Sequence, residues 1–274
     1  MMIQPNPPGI FIYTALPCEA KPLIEHFRLK KDTTALPFAV YFNQDIHLTV
    51  TGIGKSAMAA GIGYTQARVP HENPVLLNVG IAGHKDQPLG SLFLIDKITD
   101  FDSQRNYYPP LVFTPPCPTC GIQTVSKPQV DYSETELADM EASAFYETAV
   151  RFSSGELVQC LKVISDNQLS PATYINPKQV SALIATHIPA IEVLLGELLR
   201  LARLITQPQP KLFEALLQRY HFTVSEKLQL KNQLSRWAVI TDQADLDLDE
   251  SSLHSAKDLL RRLDKIINET EFHL

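Results

Sequence analysis

The chain is poor in glycine and cysteine and carries no surplus of basic charge. Eleven glycines in 274 residues, against 20 prolines, exclude a collagen-like repeat, and a hydrophobic share of 45% excludes wholesale disorder. Four cysteines are too few to staple a chain of this length by disulfides. Twenty-four Lys and Arg stand against 30 Asp and Glu, a formal charge of −6. Nucleic acid is therefore not an expected partner, because binding a phosphate backbone needs a concentrated basic face. Long uninterrupted apolar runs are missing too. The best candidate, residues 188–205, is broken by Glu192, Glu197, Arg200 and Arg203, so it reads as an amphipathic helix and no membrane partner is expected. Met1 to Pro8 hold three prolines and no basic residue, which does not fit a signal peptide. A cytoplasmic protein is the expectation.

What is present alternates. Short runs rich in β-branched and aromatic residues read as buried strands at Ile10–Leu16, Pro74–Val79, Ser91–Ile98 and Leu157–Ser165. Ala39–Phe42 and Ile46–Val50 flank Asn43-Gln44-Asp45 and read as a hairpin. Helical spacing covers Cys18–Phe27, Ser56–Arg68, Asp139–Phe152 and one long helix over Pro177–Leu204, while Phe101–Val130 reads mostly as loop. This order predicts an α/β fold with a central mixed, mostly parallel sheet. Thr206–Pro210 is a proline-bearing linker, dividing an α/β domain at 1–205 from a helical extension at 206–274. Three helices are predicted there, at Leu212–Tyr220, Ser225–Ile240 and Ser251–Ile267, with Ser225 and Ser251 or Ser252 as N-caps.

Several motifs suggest chemistry. Cys117-Pro118-Thr119-Cys120 has metal-ligand spacing, but no second Cys or His pair lies near it, so no metal or other cofactor is expected and a loop is the plainer reading. Gly54-Lys55-Ser56 looks like the end of a phosphate-binding loop, yet Thr49 occupies the position where the first glycine must stand. Gly52 and Gly54 read instead as a strand-to-helix turn. Asn78-Val79-Gly80-Ile81-Ala82-Gly83 ends a strand in two glycines, where ligands of open α/β sheets bind. Glu19, Glu141 and Asp166 each follow an apolar strand, an unfavourable place for a carboxylate that does nothing. Each alone could be a cap or a surface residue. Together they suggest acid–base and hydroxyl-recognition chemistry around one crevice.

These segments, with Ala15-Leu16-Pro17-Cys18-Glu19, Thr51–Lys55, Leu89-Gly90-Ser91, Asp139-Met140-Glu141-Ala142 and Ile164-Ser165-Asp166, occur in an order that resembles the nucleoside phosphorylase and nucleosidase superfamily. The likeness is closest to its hydrolase branch, typified by methylthioadenosine/S-adenosylhomocysteine nucleosidase and futalosine hydrolase, over roughly residues 9–204. The resemblance implies a three-layer fold and cleavage of an N-glycosidic bond in a purine-type nucleoside or thionucleoside. It implies catalytic roles for Glu19, on water, and Asp166, on the leaving base. Glu141 would hold the ribose hydroxyls with Met140 packed on the sugar, and Gly54, Ile81, Ala82, Gly83, Gln129 and Val130 would complete the substrate site. Tyr107, Tyr108 and Phe113 are further candidates to meet the base, although the segment between Ile98 and Leu137 is short for the family. A carboxylate at Glu19 would repel phosphate, which favours hydrolysis over the alternative of phosphorolysis. The resemblance also implies a homo-oligomer, with a dimer favoured. A catalytically impaired nucleoside-binding module, or a partner-docking role for the helical tail, is the reading from outside the enzymes.

Overall fold

The computed structural model describes residues 9–128, 136–174, 176–205, 210–241, 246, 248, 253 and 255–270. Contacts divide the chain into two units, one over Asn6–Thr206 and one built mainly from Gln207–Leu274.

The first unit runs β1 (Ile10–Thr14), α1 (Pro17–His26), β2 (Lys30–Lys31), β3 (Ala39–Phe42), β4 (Ile46–Val50), α2 (Lys55–Arg68), β5 (Val75–Gly83) and β6 (Leu92–Asp100). It continues through β7 (Asn106–Tyr107), β8 (Thr119–Thr124), β9 (Leu137–Asp139), α3 (Ala142–Ala149), β10 (Val158–Asp166), α4 (Pro177–Thr186) and α5 (Ile188–Ile205). The strands form one mixed sheet. β4, β1, β5 and β10 lie side by side and parallel, with Ile12 opposite both Leu48 and Leu77. β10 also pairs antiparallel with β6, and β6, β8 and β9 continue in parallel until β9 returns to β5 through Gly83 and Ala138. Five strands thus close on themselves, while β1, β4, β3 and β2 extend outward as an open wing.

Alternation along the strands supplies both faces of the core. Ile10, Ile12, Val75, Leu77, Val79, Leu161 and Val163 pack with Leu23 of α1, Ile184 of α4 and Leu194 and Leu198 of α5. The opposite set, Phe11, Tyr13, Leu76, Cys160 and Ile164, packs with Met58 and Ile62 of α2 and Phe145 of α3. The result is helix, sheet, helix: the expected three layers.

Three local expectations are corrected. Residues 137–139 form a strand and not the start of a helix. There the Asp139 carboxylate accepts the Ala142 amide at 2.8 Å, so it caps α3 from outside. Thr119–Thr124 is a strand inside the segment read as loop; its few apolar residues hide it, and pairing with β6 and β9 makes it. The long helix over 177–204 is two, α4 and α5, bent by 56° at His187, because Pro189 lacks the amide that a continuous helix would need. Among the described residues no single helix is long and apolar enough to cross a membrane.

In the second unit α6 (Phe213–Arg219), α7 (Val224–Ile240) and α8 (Ala256–Glu269) share a separate core of Phe213, Phe222, Leu230, Leu234, Leu259 and Leu263. The caps are Thr223 and Ser255, whose hydroxyls accept the amides of Glu226 and Asp258. They correct the expectation for Ser225, which lies within α7; Ser251 and Ser252 lie outside the described residues.

Candidate active site

The ends of β1, β5, β9 and β10 surround a cavity of about 380 Å³. Glu19 enters it from the first turn of α1. One carboxylate oxygen, Oε2, accepts the amides of Ala15 and Leu16 at 2.9 and 2.8 Å, and Oε1 accepts the Ile81 amide at 2.9 Å. Three of about four lone-pair sites are thereby filled, leaving one on Oε1. Burial pushes this carboxyl above its usual range, against the opposing pull of Lys162 and the three amides.

Glu141 follows β9. Its Oε1 accepts the Gly54 amide at 2.8 Å, and Gly54 opens α2 at φ 98°, a conformation that favours glycine. Burial, and next the negative charge of Asp139, raise the Glu141 carboxyl to about 7. Asp166 ends β10 beside Gly83, where a Cβ would stand 2.7 Å from Asp166 Oδ2. Glycine at 83 is what lets this carboxylate lie against β5. Ser165 Oγ donates to Asp166 Oδ1 at 2.5 Å.

Beneath the cavity lies a residue that the sequence reading passed over. Lys162, in the middle of β10, is fully buried and donates to Asp139 Oδ2 at 2.8 Å. Burial alone would lower its pKa, but the carboxylates of Asp139 and Glu141 outweigh burial and hold the ammonium above its ordinary value. A Cβ on Gly80 would be 3.2 Å from Lys162 Nζ and 3.0 Å from Glu19 Oε1. One cation thus sits among Glu19, Asp139 and Glu141. The signal for it was a lysine in a strand too apolar to have a solvent face.

Seven of the ten sequence-predicted site residues line this cavity: Glu19, Ile81, Ala82, Gly83, Met140, Glu141 and Asp166. Gly54 acts one bond away, through Glu141. Gln129 and Val130 lie outside the described residues. Tyr107 packs against Tyr146, Tyr108 is exposed and Phe113 packs on the core, so none of these three aromatics lines the cavity. Lys55 is committed elsewhere, donating to Asp100 at 2.9 Å and Asp102 at 2.6 Å. His84, Lys85 and Ser165 line the cavity and were not anticipated. Among the described residues no cluster of His, Cys, Asp and Glu is arranged to hold a metal ion.

The fold, a mixed α/β sheet between two helical layers, is that of solved nucleosidase structures. The chain shares the fold of the Arabidopsis thaliana 5'-methylthioadenosine nucleosidase, at TM-score 0.57 and 14% identity over 71% of this chain and 97% of that one. It matches equally the methylthioadenosine/S-adenosylhomocysteine nucleosidase of Colwellia psychrerythraea in complex with adenine, at TM-score 0.57 and 16% identity over 72% and 98%. A futalosine hydrolase mutant of Helicobacter pylori matches at TM-score 0.52 and 13% identity over 69% and 99%. No family model and no curated protein sequence matches the chain.

Proposed function

We infer that the protein hydrolyses the N-glycosidic bond of a purine-type nucleoside or thionucleoside. The convergence of Glu19, Glu141 and Asp166 on one cavity carries this reading. Glu19, held by three amides and raised by burial, is a base for the attacking water. Glu141, ionised, accepts hydrogen bonds from the ribose hydroxyls and offers negative charge to the oxocarbenium-like sugar. Asp166 protonates, or hydrogen-bonds to, the departing base. Lys162 offsets the concentration of negative charge beneath the site without lining the cavity. The likeness in fold to nucleosidases and to a futalosine hydrolase supports the same reaction class.

Phosphorolysis is disfavoured. The cavity is lined by five carboxylates, Glu19, Glu136, Asp139, Glu141 and Asp166, and by no arginine among the described residues. Incubation with a panel of purine nucleosides and thionucleosides should release free base at a rate independent of phosphate. Release that needs phosphate would establish the phosphorylase instead, and no release from any substrate would leave a binding module.

Glu141 adds a pH dependence. Its carboxyl binds a proton more tightly in the folded chain than in the unfolded one, so its favourable contribution is complete below pH 4.5 and disappears as pH rises through about 7. The shift of 4.5 to about 7 corresponds to on the order of 3 kcal/mol. Glu141→Gln should therefore unfold at higher denaturant than the parent at pH 8 but not at pH 4, while losing activity. In the parent, kcat/KM should climb toward pH 7 as Glu141 ionises. Equal stability of the two proteins at pH 8 would contradict this assignment.

A further inference from the structure

We propose that Lys55, which lies outside the cavity, is a positioning residue for the proposed hydrolysis: its ammonium ties the start of α2 to the end of β6 and so keeps the Gly54 amide on the Glu141 carboxylate. The role given to Glu141 rests on the nucleosidase reading; the tie itself does not. It also gives a use to Gly54-Lys55-Ser56, a motif in which Thr49 stands where a phosphate loop needs glycine.

Two helix starts meet at Glu141, and they are held very differently. Glu141 is the N-cap of α3, and α3 is fixed from three strands. Asp139 of β9 accepts the Ala142 amide at 2.8 Å, and the Thr124 hydroxyl of β8 accepts the Ser143 amide at 2.9 Å. Asp100, at the end of β6, accepts the Ser143 hydroxyl at 2.7 Å. The start of α2 has no such frame. It follows the turn Gly52-Ile53-Gly54, whose glycines stand at φ 89° and 98°, and glycine leaves a turn conformationally free. Ile53 is exposed and a Cβ at position 54 would meet nothing within 4 Å, so packing does not hold this turn.

Lys55 supplies the hold. Its ammonium donates to Asp100 Oδ2 at 2.9 Å, the oxygen that also accepts the Ser143 hydroxyl. Asp100 thus bridges the first turns of α2 and α3. The Gly54 amide on Glu141 at 2.8 Å is a second bridge between the same turns. Glu141 lines the cavity, whereas Lys55, Asp100 and Ser143 do not. The Asp100 side chain is 9% exposed and that of Asp102 50%, so solvent screens the Asp100 pair far less. Against burial, the bonds from Ser143, Ser103 and Lys55 keep the Asp100 carboxyl well below its usual range, an anion at neutral pH.

The charges facing Glu141 are Asp139 of β9, Lys162 of β10 and Glu19 of α1, and the Gly54 amide is what α2 contributes. Asp166, Glu136, His84 and Lys85 line the rest of the cavity. Loss of the amide removes a bond that favours the ionised carboxylate, so Glu141 would ionise at higher pH.

The test follows the acid limb of the kcat/KM profile in the parent, Lys55→Met, Lys55→Arg and Asp100→Ala, with the Glu141 carboxyl carbon titrated by NMR in the same proteins. Lys55→Met should move limb and titration to higher pH by about one unit, the worth of one charge-assisted bond, so that kcat/KM on the limb falls about tenfold. The deficit should shrink at alkaline pH, where Glu141 is ionised in both proteins. Lys55→Arg should keep the parental limb. Asp100→Ala separates position from field, because losing a negative charge would by itself lower the limb, whereas losing the tie raises it. A limb unmoved in Lys55→Met, a limb moved down in Asp100→Ala, or a loss in Lys55→Met equal at every pH overturns the proposal. A raised Glu141 titration in Lys55→Met and Asp100→Ala, without base release from any nucleoside, supports the tie and removes the hydrolase reading. Base release with the Glu141 titration unmoved in Lys55→Met leaves that reading standing and overturns the tie.

Discussion

Glu19→Gln is expected to reduce base release by about 10²–10⁴-fold, the span attributed to a positioned general base. The substitution keeps the size and shape of the side chain, but not its chemistry. Its one oxygen can still accept the Ala15 and Leu16 amides, which then turns the NH2 group toward the Ile81 amide. Two donors face each other there, at a cost of about 1–3 kcal/mol. Activity should thus fall far more than stability, and the loss should sit in kcat, since in the proposed reaction Glu19 acts on water and not on the sugar. Circular dichroism and thermal unfolding check that the variant is folded. A folded Glu19→Gln that retains a tenth of parental kcat would remove Glu19 from the mechanism.

Lys162→Met should strongly destabilise the α/β unit. The Lys162 side chain is 1% exposed and so is its partner Asp139, so the substitution leaves an uncompensated charge in the interior. Breaking a buried pair from one side costs about 3–5 kcal/mol. The neighbourhood makes matters worse, since Glu19 and Glu141 also feel this ammonium. Asp139→Asn in the same chain should restore part of the loss by removing the orphaned charge, although Asp139 also accepts from Thr124 and from the first amide of α3. Urea unfolding of the two variants measures both effects. If Lys162→Met unfolds at the parental midpoint, the cluster is not held by its cation.

Much of the fold was legible because β1, β10, most of β5 and the first half of β6 are buried on both faces, and such strands write themselves as largely apolar runs. The carboxylates of the site were legible for the converse reason: Glu19, Glu141 and Asp166 interrupt apolar sequence at strand ends. What escaped notice depended on partners far along the chain. Lys162 looks like one polar slip inside a strand until Asp139, on another strand, comes within 2.8 Å of it. β8 has little apolar character of its own and exists because β6 and β9 flank it. His84 and Lys85 look like an ordinary polar exit from a strand, and their place on the cavity wall emerges only once the chain at 166–168 is beside them.

The short β2 strand gives the sheet a property unrelated to catalysis. Closure of β5, β10, β6, β8 and β9 on one another leaves β2 at the outer end of the open wing. There the exposed backbone could template another chain's strand, the usual beginning of aggregation between copies. Only two residues long, β2 offers few bonds to such a visitor, and both residues, Lys30 and Lys31, are exposed lysines. A second copy docking edge to edge would bring the same positive charges together. The rim most open to misassembly is therefore guarded by mutual repulsion.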